Sequence, residues 1–252
     1  MKIVILLAGQ GKRFKELTKK NHKSLIYIYE NMNILKYLNI CLKGLKPDEL
    51  IFILGHNKDI LKKKIITYFK NQHIKKRFIE VDNYKLTSNL YSIFQARNYL
   101  KKDDFFIING DTIFPTSFIQ NIMKKKKTTL SVQYSLNKID APKVYENKEK
   151  KLKVFHYGKK DINSSDVFKG YLTGLIFIKK SFSDKYFKIA KELLNKNSKS
   201  PYYGPFNTQK TDQVNIFNQS GLWTDFDEIK ERKRVKLILK TILKLKKMNY
   251  IF

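Results

Sequence analysis

Short apolar runs alternate with amphipathic stretches along the first half of the chain. A run of about four to eight apolar residues is typical of a buried strand, and apolar residues spaced by three or four positions are typical of a helix. Repeated β-α units of this length predict a mostly parallel sheet with helices on both faces. The predicted strands are Ile3–Leu7, Glu49–Leu54, Arg77–Val81 and Phe105–Ile108, and the predicted helices are Asn33–Leu45, Asn57–Phe69 (with Asn57 as its cap) and Ser88–Leu100.

The pattern changes after Asp111, where shorter apolar runs are joined by polar connections. These runs predict a smaller antiparallel layer over the carboxyl ends of the first sheet. The predicted strands are Thr128–Tyr134, Lys143–Tyr145, Leu152–Tyr157 and Leu172–Ile178. The stretch Asn195–Thr208 is rich in Asn, Ser, Pro and Tyr and is predicted to be a loop, and a basic amphipathic helix is predicted from Glu228 onward.

The 252-residue chain carries 52 Lys and Arg against 22 Asp and Glu, which gives a formal net charge of +30. Such an excess can indicate a nucleic acid or an anionic membrane surface. The lysines, however, run through every segment without an arginine-rich tract or interleaved aromatic residues, so no nucleic-acid partner is expected. The charge should instead attract phosphorylated metabolites.

Cysteine and histidine usage excludes a disulfide framework and a cysteine zinc site. Cys41 is the single cysteine, and the four histidines show no metal-ligand spacing. No apolar run approaches about 18 residues, so no transmembrane helix is expected. The first residues do not resemble a signal peptide. A cytoplasmic protein is therefore the expectation.

Two glycines one residue apart, Gly9 and Gly11, follow the first strand and lead directly into Lys12 and Arg13. Glycine has no Cβ and tolerates positive φ, so such a loop lets the backbone pass close to a polyphosphate. A Walker A loop would need Ser or Thr where Arg13 stands. A Rossmann fingerprint would need a third glycine where Phe14 stands.

Two further segments place acids at chemically suggestive positions. Asp111 follows a buried strand across Asn109 and Gly110, which puts it at the carboxyl edge of the sheet, where ligands bind in open α/β folds. Asp225 and Asp227 follow Trp223, and in a strand they would point to one face. The alternatives are turn chemistry at Asp111, a core role for Trp223, and a solvated helix start.

A third segment precedes the helix predicted from Ser88. Thr87 or Ser88 could cap this helix, and a helix N-terminus offers free N–H groups to an anion or a base edge. An ordinary polar helix start is the alternative.

These motifs together resemble the nucleotidyltransferase superfamily that activates sugar phosphates and phosphocholine. Its signature is roughly L-A-x-G-x-G-x-R, a threonine, and P-K-x-L, and this chain has Leu6–Arg13, Thr18 and His22–Leu25, with His22 in place of the proline. The segments around Asp111 and Trp223 are similar to the superfamily's G-D-x-x-F and closing Trp-acid elements. The resemblance covers Met1 to about Glu231.

The resemblance implies an α/β fold of Rossmann-like, glycosyltransferase-A type, with three αβα layers, a mixed, mostly parallel central sheet and a smaller antiparallel layer. It implies one domain over residues 1–231, with a nucleotide-binding half at 1–114 and an acceptor-binding half at 115–227. Residues 228–252 would form the basic helix packed on it or extending from it. The oligomeric state stays open, and a homodimer is one arrangement that fits.

The implied reaction is in-line attack of a substrate phosphate or phosphonate oxygen on the α-phosphorus of a nucleoside triphosphate, with release of pyrophosphate. Arg13 would neutralise the β- and γ-phosphates, and Lys23 would bridge the α-phosphate and the attacking oxygen. Mg²⁺ would be held by Asp111 with Asp225 or Asp227. The implied nucleotide-binding residues are Leu7, Ala8, Gly9, Gly11, Lys12, Arg13, Lys23, Thr87, Asn89 and Ser92.

For the acceptor, the resemblance implies weaker candidates: Lys143, Lys159, Tyr171 and Trp223. Gly170–Gly174 resembles a G-E-x-x-G element with Tyr171 in place of the glutamate. The segment Tyr84–Ser92 resembles the phosphocholine and aminoethylphosphonate cytidylyltransferases, which favours CTP and a small non-sugar acceptor. Two alternatives stay open: a hexose 1-phosphate acceptor with UTP, GTP or dTTP, for a surface polysaccharide, and a peripheral protein that docks its basic helix on anionic lipid.

Overall fold

The computed structural model describes residues 1–71, 73–134, 141–156 and 162–247. Eleven strands are seen in this part of the chain: β1 Lys2–Leu7, β2 Glu49–Leu54, β3 Lys75–Glu80, β4 Phe105–Asn109, β5 Thr112–Ile113, β6 Thr128–Gln133, β7 Lys143–Glu146, β8 Leu152–Phe155, β9 Val167–Ile178, β10 Val214–Asn218 and β11 Thr224–Asp225. The α-helices of the same ranges are α1 Ile34–Leu42, α2 Lys58–Tyr68, α3 Asn89–Gln95, α4 Arg97–Leu100, α5 Thr116–Met123, α6 Lys180–Lys196 and α7 Arg232–Lys247.

One nine-stranded sheet dominates the fold, and its main path runs β10-β6-β9-β4-β1-β2-β3. Within that path β9 is antiparallel to both of its neighbours, and the other pairs are parallel. Successive residues of β1 enter two separate cores, Ile3, Ile5 and Leu7 on one face and Val4 and Leu6 on the other. Helices α1, α2, α5 and α7 cover the first face, and α3, α4 and α6 cover the second. The predicted three-layer α/β fold is confirmed.

The antiparallel part of the fold has two pieces. Strands β7 and β8 pair with each other and join the main sheet through β9. A separate two-stranded antiparallel sheet is formed by β5 and β11. The sequence predicted one layer over the first sheet. The difference arises because β9 has twelve residues, long enough to pair with β4 at one end and β7 at the other.

The helix predictions hold for position and differ in detail. Asn33 caps α1, with its side chain accepting from the Lys36 N–H at 2.9 Å. Asn57 precedes α2 as predicted, but it has a φ of 52° and its side chain makes no capping bond. Its amide instead donates to the Asn21 carbonyl at 2.8 Å, which ties α2 to the N-terminal loop.

Two helices were missed by sequence reasoning, α5 and α6, and so was strand β10. In α6 the apolar residues Phe182, Tyr186, Phe187 and Ala190 are buried at helical spacing, but lysines lie between them and no element was predicted for this segment. The predicted loop Asn195–Thr208 begins as the last turn of α6 and then contains a single 3-10 turn, Gly204–Phe206. Its aromatic residues are buried, so the segment packs against the protein.

The predicted basic helix corresponds to α7. Val235, Leu239 and Ile242 bury one side of it in the first core. Within the described ranges, no helix combines the length and the apolar character that crossing a membrane requires.

Candidate active site

The N-terminal loop leaves the carboxyl end of β1 and forms two 3-10 segments, Lys12–Thr18, which is kinked at Lys15, and Lys23–Leu25. Gly11 has a φ of +63°, and a Cβ there would lie 3.1 Å from side-chain atoms of both Lys23 and Thr18. The Gly11 carbonyl accepts from the Thr18 hydroxyl at 3.0 Å and from the Phe14 N–H at 2.9 Å. Glycine is therefore required here by conformation and by packing, and Thr18 fixes the loop.

Gly9 differs from Gly11 because a Cβ at Gly9 would meet nothing within 4 Å. The fold itself does not need glycine at this position. Leu7 and Ala8 are buried, with 1% and 6% of their surface exposed, and the Ala8 carbonyl accepts from the His56 N–H at 3.2 Å. Leu7 and Ala8 therefore present little surface to a nucleotide.

His22, which stands in place of the signature proline, is completely buried. Its Nδ1 accepts from the Ser24 N–H at 3.2 Å and lies 2.7 Å from the Ser24 hydroxyl. Burial, followed by the nearby charge of Lys23 and by His56, lowers the pKa of His22 to about 3. The imidazole is therefore neutral near pH 7 and acts as a fixed hydrogen-bond acceptor at the turn that presents Lys23.

Asp111 reaches the same edge of the sheet through a close backbone approach. A Cβ on Gly110 would lie 2.3 Å from the Leu7 side chain and 2.4 Å from the Leu6 carbonyl, and the Gly110 N–H donates to that carbonyl at 3.0 Å. The Asp111 carbonyl in turn accepts from the Phe226 N–H at 2.9 Å, beside the β5–β11 pair. This pairing brings Asp111 near the acids that follow Trp223.

Lys23 lies between two of these carboxylates. Its Nζ is 2.5 Å from Asp111 Oδ2 and 3.7 Å from Asp227 Oδ1, and Arg13 lies 3.9 Å from the other Asp227 oxygen. Burial opposes the charged form of Lys23, but the charges and hydrogen bonds of Asp111 and Asp227 outweigh it and raise the pKa of the ammonium. Lys23 is therefore a fixed cation at the edge of the sheet.

The carboxylates at this edge differ in arrangement from the expected Mg²⁺ site. The predicted three-carboxylate cluster of Asp111, Asp225 and Asp227 is not found: in the described ranges, no three or more acidic, histidine or cysteine side chains are grouped as metal ligands. Asp111 and Asp227 are instead arranged around the Lys23 ammonium. The residues still fit a hard cation, because they offer carboxylate oxygens where a cation is already accommodated, and Mg²⁺ needs few protein carboxylates when phosphate and water complete its shell.

Two cavities meet at this edge. The smaller, about 350 Å³, is lined by Gly11, Lys12, Arg13, Lys23, His156 and Asp227. The larger, about 420 Å³, shares His156 and Asp227 with it, so these two residues stand at the junction. Its other walls are Ser88, Asn89, Asn109, Asp111, Thr112, Ala141, Pro142, Leu172, Thr173, Gly174, Lys199, Pro201, Tyr202, Tyr203, Trp223 and Asp225.

Of Thr87, Asn89 and Ser92, the residues at the start of α3 predicted to bind nucleotide, one lines the larger cavity. Asn89, the first residue of α3, lines the larger cavity. Ser88, rather than Thr87, caps α3. The Thr87 hydroxyl donates to the Asn83 carbonyl at 2.8 Å. Ser92 is buried, and its hydroxyl donates to the Ser88 carbonyl at 3.2 Å, so Ser92 supports the helix start.

The residues predicted to bind the acceptor also differ in whether they line the larger cavity. Trp223 lines the larger cavity, and its indole N–H donates to the Thr173 carbonyl at 2.8 Å, so it is both a wall and an anchor. Tyr171 pairs in register with Lys143 and packs its ring against Phe168 at 5.2 Å. Because adjacent strand residues point to opposite faces, the side chain of Leu172, a cavity wall, and that of Tyr171 point apart. Lys159 lies outside the described residues.

Sequence reasoning missed several cavity residues. His156 at the junction carried no signal, because a single histidine at a strand end has no distinctive spacing. Asn109 donates from its side-chain amide to the Tyr202 hydroxyl at 3.4 Å. Tyr202 and Tyr203 are only 6% and 7% exposed. The unusual aromatic content of the predicted loop was the one signal that could have indicated a packed wall.

Comparison with known proteins agrees with the resemblance that the sequence motifs indicated. A family model described as "Nucleotidyl transferase" matches residues 2–145. The bifunctional protein GlmU of Methanocaldococcus jannaschii is 34% identical over 114 residues, which are 45% of this chain and 26% of GlmU. The CTP:phosphoglutamine cytidylyltransferase of Campylobacter jejuni is 27% identical over 132 residues, half of each chain.

Among solved structures, the inositol-1-phosphate CTP transferase of T. maritima superposes with a TM-score of 0.72 at 20% identity. The match covers 96% of this chain and 95% of that protein, so the whole described architecture is shared. The chain spans only about a quarter to a half of the length of the two curated relatives.

Proposed function

The chain belongs to the nucleotidyl transferase family, and from this we propose that it transfers a nucleoside monophosphate from CTP to a small phosphorylated or phosphonate acceptor, releasing pyrophosphate. The observation that carries the proposal is the pair of cavities joined at His156 and Asp227. One is walled by the glycine loop and three cations, and the other by carboxylates and aromatic rings. Two substrates can therefore meet at one edge of the sheet.

The basic cavity suits the phosphates that leave as pyrophosphate. Lys12, Arg13 and Lys23 give it three positive charges, and Gly11 brings the backbone close. Gly9 adds support, since its missing Cβ leaves open space that the fold does not fill. A nucleotide occupying that space would explain why this position is glycine.

The chemistry follows from positioning and charge. An oxygen of the acceptor phosphate, already ionised near pH 7, attacks the α-phosphorus in line. A new bond forms between this oxygen and the α-phosphorus as the bond from the α-phosphorus to the bridging oxygen of the β-phosphate breaks. Because the attacking oxygen is already ionised, no general base is needed. Lys23, fixed by Asp111 and Asp227, neutralises charge on the α-phosphate, and Arg13 does so on the leaving pyrophosphate.

Magnesium would be held by Asp111 with Asp225 or Asp227. When bound, Mg²⁺ would supply charge neutralisation at the α-phosphate. Fixing both substrates before reaction would contribute the rest of the rate enhancement through orientation.

The choice of CTP and a compact acceptor rests on two supports. The Campylobacter cytidylyltransferase and the T. maritima CTP transferase are named for CTP with phosphoglutamine and inositol 1-phosphate. The larger cavity, about 420 Å³ with Tyr202, Tyr203 and Trp223 in its walls, offers room for a small acceptor.

A pyrophosphate-release assay on paired variants tests the nucleotide site. Gly9→Ala should leave thermal stability unchanged and raise KM for CTP, because the new methyl group would enter the nucleotide's space. Gly44→Ala is the matched control, since a Cβ at Gly44 also meets nothing within 4 Å. An unchanged KM in Gly9→Ala would contradict the assignment of this loop to the nucleotide.

A further inference from the structure

The exposed face of α7 carries a continuous stripe of lysines. Lys233, Lys236, Lys240, Lys244 and Lys247 are all exposed and follow one another at intervals of three or four residues. Residues at this spacing share one face of a helix. The buried residues of α7 belong to its other side. We call these five residues the lysine stripe.

The general lysine content of the chain does not account for the stripe. Eight of the sixteen residues of α7 are Lys or Arg and none is acidic. In the whole chain, 52 of 252 residues are Lys or Arg and 22 are acidic. The fraction of basic residues in α7 is therefore more than twice that of the whole chain, and α7 contains no acidic residue to offset it.

Apolar and aromatic groups accompany the stripe. Leu237 is 67% exposed on α7. A groove of about 1090 Å³ runs between α7 and the segment before and within α1, and Tyr29, Met32, Ile40 and Leu243 give it apolar walls. Five lysines also line it, and Glu30 is the acidic residue among its lining side chains.

Lysine and tyrosine side chains lie close together on this face. The ammonium groups of Lys236 and Lys240 lie 5.3 and 4.1 Å from the ring centre of Tyr29. Across the groove, Lys36 lies 5.6 Å from the ring of Tyr27, which is 46% exposed. Two lysines of α7 are therefore held beside the Tyr29 ring.

We propose that the lysine stripe docks this face of the protein on the surface of an anionic phospholipid bilayer. The lysines would lie at the level of the lipid phosphates, and Leu237 with the tyrosines would enter the interface. Charge complementarity carries the choice, because basic side chains beside exposed apolar and tyrosine side chains match the two layers of a bilayer surface. The docking is separate from the nucleotidyltransferase site and does not depend on it.

Vesicle co-sedimentation of the full chain tests the docking. Vesicles of phosphatidylcholine alone are compared with vesicles that also contain phosphatidylglycerol, at low salt and in about 1 M salt, where the Debye length is about 3 Å. We expect partition only onto the anionic vesicles at low salt. Each lysine near the surface contributes about fivefold to partition, so Lys240→Glu with Lys244→Glu should lower it by at least about 25-fold.

Matched variants separate the stripe from net charge. Lys63→Glu with Lys64→Glu changes the net charge equally on exposed positions of α2 and should lower partition much less. Leu237→Gln should weaken partition, and Ile66→Gln, at a 53% exposed position, should not. Circular dichroism checks that each variant is folded.

Three results would overturn the proposal. Equal losses in the two lysine pairs would mean a diffuse attraction of the whole protein. Equal partition onto neutral vesicles would exclude the charge argument. The third result would come from a gel-shift assay with a short RNA duplex. If Lys240→Glu with Lys244→Glu loses RNA binding while its vesicle partition is unchanged, the face is a nucleic-acid surface.

Discussion

Removing either partner of the Lys23–Asp111 pair should lower both the stability of the fold and the rate of pyrophosphate release. The stability losses of the two single variants should not add in the double variant. The Lys23 and Asp111 side chains are 17% and 18% exposed, so solvent screens their 2.5 Å contact only weakly. A hydrogen bond to a charged group contributes about 1.5–3 kcal/mol. Lys23→Met and Asp111→Asn should therefore each cost about 2 kcal/mol, which lowers Tm by roughly 4–8 °C in a chain of this size.

The double variant should cost little more than either single variant. Each single change leaves one charge without its main partner, and the second change removes that charge. We expect a coupling of about 1–2 kcal/mol from urea unfolding of the four proteins in a double-mutant cycle. Pyrophosphate release should fall by about 10²–10³-fold in each single variant, because a charge that stabilises the transition state is lost or misplaced.

An exposed pair provides the control for this cycle. Lys58 lies 2.9 Å from both Asp82 and Glu80, which are exposed, and Lys58→Met should change neither stability nor turnover appreciably. Additive losses at Lys23 and Asp111 would show that the two residues act independently. Normal turnover in Lys23→Met would remove Lys23 from the reaction.

Three further outcomes are expected. The pKa of His22 is lowered from 6.5 to about 3, so its contribution to stability is complete above pH 6.5 and is lost as the pH falls toward 3. Between pH 7 and pH 5 the wild type should lose about 2 kcal/mol more of its free energy of unfolding than His22→Asn, measured by urea unfolding. Parallel pH profiles of the two proteins would contradict this. Gly11→Ala should cost about 1–2 kcal/mol because alanine is strained at a φ of +63° and crowds Lys23, whereas a thermal shift no larger than that of Gly44→Ala would refute the packing argument. His156→Gln should lower kcat/KM for the acceptor by about 10–100-fold, because the imidazole stands between the two cavities; exposed His73→Gln is its control, and equal kinetics in both variants would remove His156 from the site.

Much of the sheet could be predicted because its apolar runs allow few other readings. Strand β2 was predicted residue for residue, and β1 and β4 within one residue at each end. The carboxyl ends of parallel strands share one edge, and this rule placed Asp111 at the edge where ligands bind. The distance between Lys23 and Asp111, 88 residues apart, could be obtained only from the folded chain.

The differences from the sequence-based expectations also have physical causes. Tyr171 was expected near the acceptor, and strand alternation points its side chain away from that of Leu172, which lines the larger cavity. Helix α6 was missed because its solvent face is rich in lysine. The expected three-carboxylate cluster took no account of Lys23, whose ammonium lies among the same acids.

The most direct test of the central claim is a pyrophosphate-release assay with Mg²⁺. It crosses the four ribonucleoside triphosphates and dTTP with phosphocholine, 2-aminoethylphosphonate, glycerol phosphate and several hexose 1-phosphates, for the wild type and Asp111→Asn. We predict release with CTP and a small non-sugar acceptor, and its loss in folded Asp111→Asn. Release only with a hexose 1-phosphate would contradict the choice of acceptor. An absence of release with every pair, together with no nucleotide binding by calorimetry, would contradict the nucleotidyltransferase reaction itself.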